Sequence, residues 1–384
     1  MPTAAKLSFT RKSVPQYNCG TREREKTLHR HAMRIDSDGD LLKDHANALE
    51  GGAHLAVMPI SRLTLEWSPL TFPQGITFYP IGIAQTENLG IIPNDPNSGS
   101  LAEVASATSG LDVETLSEHP LVVFPFSFDW GSFRQNSHKS NLAFIRRLSD
   151  HVDCGCLDLI RYLQCPFFAN GDPVQNLPGR AGQLNSKSMM SGALLYKHFL
   201  RQARFIGGDA FAHTITRGLG LPIDDVDESR FPNEGEIGFI ARHGLSLYTA
   251  VQEANNSTAC FIQYLALLEF LAFPDEYRKF EEVKKVIARY VARDASQYKA
   301  LLDRFFELTG KKDEGTGRII GYRTRLIHMG ERIEDVVPDD DNRKALFYEL
   351  DGYIRAVIDH MIEHSGASYT EYLKIRGNLR PFEE

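Results

Sequence analysis

Two patterns of apolar positions divide this chain. Between His54 and Trp130 the apolar residues fall in short runs rich in β-branched and aromatic side chains, among them Leu63-Thr64-Leu65-Glu66-Trp67, Ile76-Thr77-Phe78-Tyr79 and Leu121-Val122-Val123-Phe124. Pro59, Pro69, Pro73, Gly75, Pro80, Pro120 and Pro125 bound these runs, which therefore read as strands. Asn88 to Ser109, rich in Pro, Asn, Ser and Gly, reads as a loop. From Asn141 to Leu163 the period turns helical, with Leu142, Ile145, Leu148, Leu157, Ile160 and Leu163 on repeating faces. Gly171 to Ser191 reads as a polar loop, and a short helix is expected around Leu194–Phe205. Gly207-Gly208-Asp209 through Gly218-Leu219-Gly220 matches no phosphate-loop pattern and reads as a loop. Leu221 to Glu236 looks like a connector.

After Ile237 every apolar stripe has helical spacing. Ile237–Glu253 is a first helix. Thr258–Phe273 is apolar nearly all round (Phe261, Ile262, Tyr264, Leu265, Leu267, Leu268, Phe270, Leu271), the mark of a central buried helix that Pro274 ends. Phe280–Ala292 and Ser296–Leu308 follow, the latter closed by Gly310. Asn342–His364 carries the stripe Leu346, Leu350, Tyr353, Val357 and Met361, and Pro338 with three aspartates precedes it as a helix start. Short connections favour antiparallel neighbours in a bundle. The expected fold class is α+β: a polar arm (1–52), a β-rich N-terminal domain with irregular loops (53–140), a helical and loop connecting region (141–234), an all-α bundle (235–370) and a C-terminal tail (371–384).

Length fits two domains, and a chain that is 42% hydrophobic and 24% charged has material for a sizeable core. A formal net charge of -7 means that any nucleic-acid contact must come from a local basic surface. Met1 to Leu41 is polar and basic, without the apolar core of a signal peptide, and no window approaches the roughly 18 apolar residues that span a bilayer. Cys19, Cys154, Cys156, Cys165 and Cys260 form no disulfide framework, which fits a reducing cytoplasm. Asp36-Ser37-Asp38-Gly39-Asp40 lacks the downstream glutamate of a calcium loop and reads as a solvated acidic turn.

One stretch stands out from the bundle pattern. Ile319, Leu326, Ile333 and Val337 recur at helical spacing, and Arg323 and Gly330 share their stripe. A guanidinium on a core-facing stripe needs a partner, because an unpaired buried charge costs several kcal/mol. The stretch, Tyr322-Arg323-Thr324-Arg325-Leu326-Ile327-His328-Met329-Gly330, is an Arg-x-x-x-x-His motif late in an all-α bundle, and in this it resembles the HEPN superfamily, most closely its ApeA-like branch. Leu265-Ala266-Leu267-Leu268-Glu269-Phe270-Leu271 also resembles that branch's buried helix with its single glutamate. Met329 departs from the pattern, since glycine usually follows the histidine directly. The resemblance covers residues 235–370.

On a single helix, five positions put Arg323 and His328 about 140° apart, whereas Arg325 and His328 share a face more closely. Geometry alone thus nominates Arg325 as the neighbour of His328. The resemblance nominates Arg323, and it implies a homodimer whose two motif helices line one cleft. Glu269 is expected to pair with Arg323 or Arg325 and fix its orientation, with Tyr322 and Thr324 as further supporting residues. Histidine suits proton transfer near neutral pH, and arginine matches the charge that develops on a phosphoryl group. The implied activity is RNA cleavage without metal or cofactor, by attack of the ribose 2′-hydroxyl on the adjacent phosphorus. Arg323 and His328 are the catalytic candidates. The resemblance further implies an effector of a defence or toxin-like system, with the β-rich region sensing a trigger or restraining the nuclease.

Local charge agrees with an RNA substrate. Asp275 to Arg332 holds 14 Lys/Arg against 10 Asp/Glu, and Lys284, Lys285, Arg289, Lys311, Lys312 and Arg318 are the candidate phosphate contacts. The same residues also fit a solvated helix face. His151, Cys154, Cys156 and Cys165 do not have a standard zinc spacing. A competing reading keeps the bundle but makes it a non-catalytic nucleic-acid or nucleotide sensor, or a dimerisation module.

Overall fold

The computed structural model describes residues 33–34, 37–66, 68–92, 112–127, 138–165, 177–184, 190–211, 220–223, 226–227, 230–254, 256–318 and 320–379. The arm before residue 33, Asp36, Trp67, residues 93–111 of the long loop, Gly218, Leu219 and Ile319 lie outside them. The layout is α+β: an N-terminal antiparallel sheet region followed by a helical region.

Among the described residues, seven strands form the sheet: β1 (Met33–Arg34), β2 (His54–Pro59), β4 (Leu70–Phe72), β5 (Ile76–Tyr79), β6 (Leu121–Phe126), β7 (Met190–Lys197) and β8 (Gln202–Asp209), while β3 (Leu63–Leu65) and β9 (Leu221–Ile223) pair in parallel elsewhere. The spatial order is β1-β4-β5-β6-β2-β7-β8, with every neighbouring pair antiparallel. Successive side chains alternate between the two faces. Leu55, Val57, Leu121, Val123, Leu194 and Tyr196 face one way, toward Leu41 and Leu49 of two short helices, α1 (Leu41–Asp44) and α2 (Ala46–Glu50). Ala56, Met58, Val122, Phe124 and Leu195 face the other way, under Ile145, Leu148 and Val152. Burial on both faces explains why Leu121–Phe124 is continuously apolar.

Two expectations change here. Leu194–Phe205 is not a helix; it contributes to β7 and β8, a hairpin paired from Met190↔Asp209 to Lys197↔Gln202. A short apolar run such as Ala193–Tyr196 fits a buried strand as well as a helix, and pairing with β2 decides it. Gly207, Gly208 and Asp209 likewise belong to β8 rather than to a loop. The acidic turn starts α1, since Asp40 caps the helix by accepting from the amides of Leu42 and Lys43.

The sheet and the helices share a spine. After the short helix α3 (Val113–Ser117), α4 (His138–Val152) runs through a single π turn at Asp153–Leu157 into α5 (Asp158–Gln164). Leu157 and Ile160 enter the core under the sheet, while Leu159 and Tyr162 enter the core of the bundle. Between them Arg161, 1% exposed, pairs with Asp153 and Asp158, each at 3.1 Å, and Thr249 donates to Asp158 at 2.7 Å. A fully desolvated guanidinium is tolerable because two carboxylates hold it.

The bundle comprises α6 (Glu236–Gln252), α7 (Ser257–Ala272), α8 (Phe280–Val291), α9 (Ala295–Thr309), α10 (Tyr322–His328), α11 (Ile333–Val336), α12 (Asp340–Glu363) and α13 (Tyr369–Gly377). As its all-round apolarity implied, α7 is central: Phe261, Tyr264, Leu265, Leu267, Leu268 and Leu271 are buried, and α6, α8, α11 and α12 pack on it. Asn256, Asp294 and Asp339 cap α7, α9 and α12. Inside, Asp351 accepts from Tyr248 Oη at 2.5 Å and Arg355 Nε at 2.7 Å.

Candidate functional site

The Arg-x-x-x-x-His segment lies between two glycines that act in different ways. Gly321 is buried where the chain enters α10, and a Cβ there would stand 2.7 Å from the carbonyl carbon of Thr309, so the start of α10 rests directly on the end of α9. At the other end Gly330 has φ +72, a left-handed conformation that glycine adopts without strain and that stops the helix. The motif helix is therefore seven residues long. Ile333 and Val337 continue the apolar period without continuing the helix: Ile333 begins the separate α11, and Val337 caps its end. The single long stripe expected from the sequence is thus two short elements that both pack inward.

Within α10, Leu326 is the buried anchor, and Tyr322, Arg323, Thr324 and Arg325 are half-buried. Arg323 Nη2 lies 3.2 Å from Glu269 Oε1, with side chains 38% and 26% exposed. Glu269 is the one charged residue of α7. Arg323 is thus neither deeply buried nor unpaired. Arg325 turns elsewhere. Its Nε donates to both carboxylate oxygens of Glu331, at 3.1 and 3.0 Å, and its Nη2 also donates to Glu331. The amide of Glu331 donates in turn to the carbonyl of Arg325 at 3.1 Å. Glu331 therefore closes the reversal after Gly330, and its carboxylate raises the pKa of Arg325 further. The pairing assigns Arg325 to the chain reversal and leaves Arg323 as the arginine tied to the bundle centre.

His328 is the last residue of α10 and is exposed, with Ile327 and Met329 exposed on either side. It has no hydrogen-bond or ion-pair partner among the described residues. Tyr322 donates its hydroxyl to Glu307 of α9 at 3.3 Å, and burial followed by the Glu307 charge raises its pKa.

The candidate phosphate contacts separate into two groups. Lys311, Lys312 and Arg318 lie on one turn between α9 and α10, and all three are exposed. That turn is closed by Ile320 N–H to Lys311 carbonyl (2.6 Å) and Asp313 N–H to Arg318 carbonyl (2.8 Å), and it leads straight into Gly321. Lys284, Lys285 and Arg289 lie on α8, which packs on α7, α9 and α12, and Lys284 Nζ lies 5.9 Å from the Phe306 ring centre. The basic turn adjoins the motif helix in the chain, and α8 belongs to a different part of the bundle.

Sequence reasoning passed over Arg304, Glu307 and Glu349. Arg304 Nε reaches both oxygens of Glu349 at 3.0 Å, its Nη1 reaches Glu307 at 2.5 Å, and Tyr353 donates to Glu349 at 2.5 Å. Arg304 and Glu349, together with Tyr322 and the turn before α12, border a cavity of about 410 Å³. The i,i+3 spacing of Arg304 and Glu307 was visible, but it is common on exposed helices. Glu331 had a clearer signal, lying directly after the helix-stopping glycine.

Cys156 and Cys165 are buried, Cys154 is exposed, and burial pushes the thiols of Cys154 and Cys165 up to about 11 and about 12. Among the described residues no group of three or more His, Cys, Asp or Glu side chains is placed to hold a metal ion. No helix there is long and apolar enough to cross a membrane. Compared with known proteins, the chain matches no family model, no curated protein and no solved structure.

Proposed function

We propose that this chain is a metal-independent endoribonuclease of the HEPN type, with Arg323 and His328 as its catalytic residues. The observation that carries the reading is the division of labour along α10. Arg323 is tied to the central helix through Glu269, while His328 stands exposed at the helix end, on a helix that a basic turn leads into. Arg323 would hold the phosphoryl oxygens as negative charge grows on them. The 2′-hydroxyl loses its proton as its oxygen bonds to phosphorus, the bond from phosphorus to the 5′ oxygen breaks, and that oxygen takes up a proton. Imidazole can accept the first proton and donate the second. The products are a 2′,3′-cyclic phosphate and a 5′-hydroxyl.

Since no described residue orients His328, a homodimer that sets two motif helices in one cleft completes this reading. The sheet region would then sense a trigger or restrain the nuclease, as in a cytoplasmic effector of antiphage defence, abortive infection or a toxin-like system. Arg323→Ala and His328→Ala should each abolish RNA cleavage, and EDTA should leave the wild-type rate unchanged. Cleavage that survives both substitutions, or that needs a divalent metal, rejects the reading. A second reading, a non-catalytic nucleic-acid or nucleotide-binding module, draws support from the carboxylate of Glu269, which already neutralises Arg323. It predicts RNA binding by the wild type with no new 5′-hydroxyl ends.

A further inference from the structure

The cavity beside Tyr322 has a composition that fits one part of a nucleotide and excludes another. Its walls are apolar where Val337, Pro338 and Leu346 line it and polar where Arg304, Asn342 and Glu349 do. Arg304 is fully engaged as a cation: Glu349 and Glu307 hold it from two sides. Asp339, also on the lining, is committed to capping α12. The lining thus carries two carboxylates, Asp339 and Glu349, and one guanidinium that Glu349 and Glu307 already neutralise, so it offers a phosphate no unpaired cation. A planar, uncharged ring meets the phenol of Tyr322 and an aliphatic wall, the arrangement on which bases stack.

The same lining selects among rings. Its side-chain acceptors are the carboxylates of Asp339 and Glu349 and the amide oxygen of Asn342, and the carbonyls of Val337 and Pro338 already accept from Arg343 Nη1 at 2.9 Å each. Asn342 makes no side-chain hydrogen bond to any described residue, so its amide is available to a ligand. An edge that presents amino hydrogens satisfies such a surface, and an edge dominated by carbonyls does not. The volume, about 410 Å³, lies within the range of small-molecule pockets and accommodates a nucleoside.

We propose that this cavity binds a nucleobase carrying an exocyclic amine (guanine, adenine or cytosine) and discriminates against uracil, with Asn342 reading the base edge and Tyr322 stacking on its face. Resting on the ribonuclease reading, this makes it the base-selecting subsite of the cleft. Tyr322 both lines the pocket and opens the motif helix, so the pocket adjoins the start of α10.

The test uses the full-length protein and uncharged ligands, so that phosphate contacts play no part. Calorimetric titration with adenosine, guanosine, cytidine and uridine should show uridine binding about tenfold or more weakly than the best of the others, the discrimination that one lost edge contact gives. Asn342→Ala should lose that preference, and Ala345→Trp, which fills the cavity from an exposed position on its lining, should abolish nucleoside binding. His328→Ala should bind nucleosides as the wild type does. In parallel, mapping cleaved ends should show Asn342→Ala still cutting RNA but with a flattened base composition beside the cut. Equal binding of all four nucleosides, no binding, or unchanged preference in Asn342→Ala overturns the pocket and leaves the nuclease reading standing. Asn342-dependent binding in a protein whose cleavage survives Arg323→Ala and His328→Ala upholds the pocket and removes the nuclease.

Discussion

Arg323 and Glu269 meet at 3.2 Å across the seam between the motif helix and the central helix of the bundle. Glu269 sits on a helix whose other fifteen residues are uncharged, so its position is fixed by apolar packing on nearly every side. It therefore acts as a rigid mount for a flexible guanidinium.

Glu269→Gln keeps the shape of that mount and removes its charge. RNA cleavage should fall about tenfold, equivalent to roughly 1.4 kcal/mol of transition-state stabilisation. Because both side chains are partly solvated, unfolding stability should change by less than about 1 kcal/mol. Cleavage rates and urea midpoints measured on one preparation separate the two effects. A variant with full activity removes Glu269 from the positioning role.

Gly321→Ala tests whether the start of α10 must rest on α9. The added methyl stands 2.7 Å from backbone that cannot move cheaply, so the motif helix should shift and stability should drop by about 1–3 kcal/mol. The expected signature is loss of cleavage below the unfolding temperature, read by comparing activity and circular dichroism across the melt. Gly352→Ala, with nothing near its Cβ and in the middle of α12, is the control: activity should match wild type and stability should stay the same or rise by up to about 1 kcal/mol.

Two histidines set an acid limit. His45 is buried, its Nε2 has no partner among the described residues, and desolvation lowers its pKa from 6.5 to about 4. His360, against Tyr372 and His364, is lowered to about 4 by burial and by the neighbouring imidazole. In each case the unfolded chain takes up its proton first, so the stabilisation is complete above pH 6.5 and is lost as pH falls toward 4. Denaturant midpoints should decline across that window, by at most about 1.4 kcal/mol per pH unit for each group. His45→Phe should flatten part of the slope; an unchanged slope in both His45→Phe and His360→Phe would contradict the assignment.

Arg161→Ala leaves Asp153 and Asp158 desolvated without their cation. The expected loss is about 3–5 kcal/mol of unfolding free energy, far more than for Arg278→Ala on the surface. Chemical denaturation with tryptophan fluorescence and far-ultraviolet dichroism reads it directly.

The bundle was readable in the sequence because its helices carry long stripes that only one geometry satisfies. Leu194–Phe205 was not readable, because its apolar runs are too short to distinguish a strand from a helix, and β2, its pairing partner, is far away in the chain. The motif helix was half legible. Leu326 lies on the inner face as its spacing required, but Ile333 and Val337 mimicked continuity across Gly330. Arg323 and Arg325 were equal claimants for Glu269 by sequence; the reversal at Gly330 brings Glu331 to Arg325 and leaves Glu269 to Arg323. Arg304, Glu307 and Glu349 were invisible as a group, since they come together only when α9 and α12 pack.

The spine from α4 into α5 also bears on how the protein can be divided. Tyr162 lends its ring to the cation of Arg355 at 4.5 Å, its carbonyl accepts from Arg355 Nη1 at 2.8 Å, and its hydroxyl donates to Asp359 at 2.8 Å. A fragment cut at residue 235 would keep every helix of the bundle, and with them Tyr248 and Asp351 around that guanidinium, but would lose the ring, carbonyl and hydroxyl of Tyr162. With Leu157 and Ile160 in one core and Leu159 and Tyr162 in the other, the two architectures should unfold in one transition, and strain in the sheet should reach the bundle through α5.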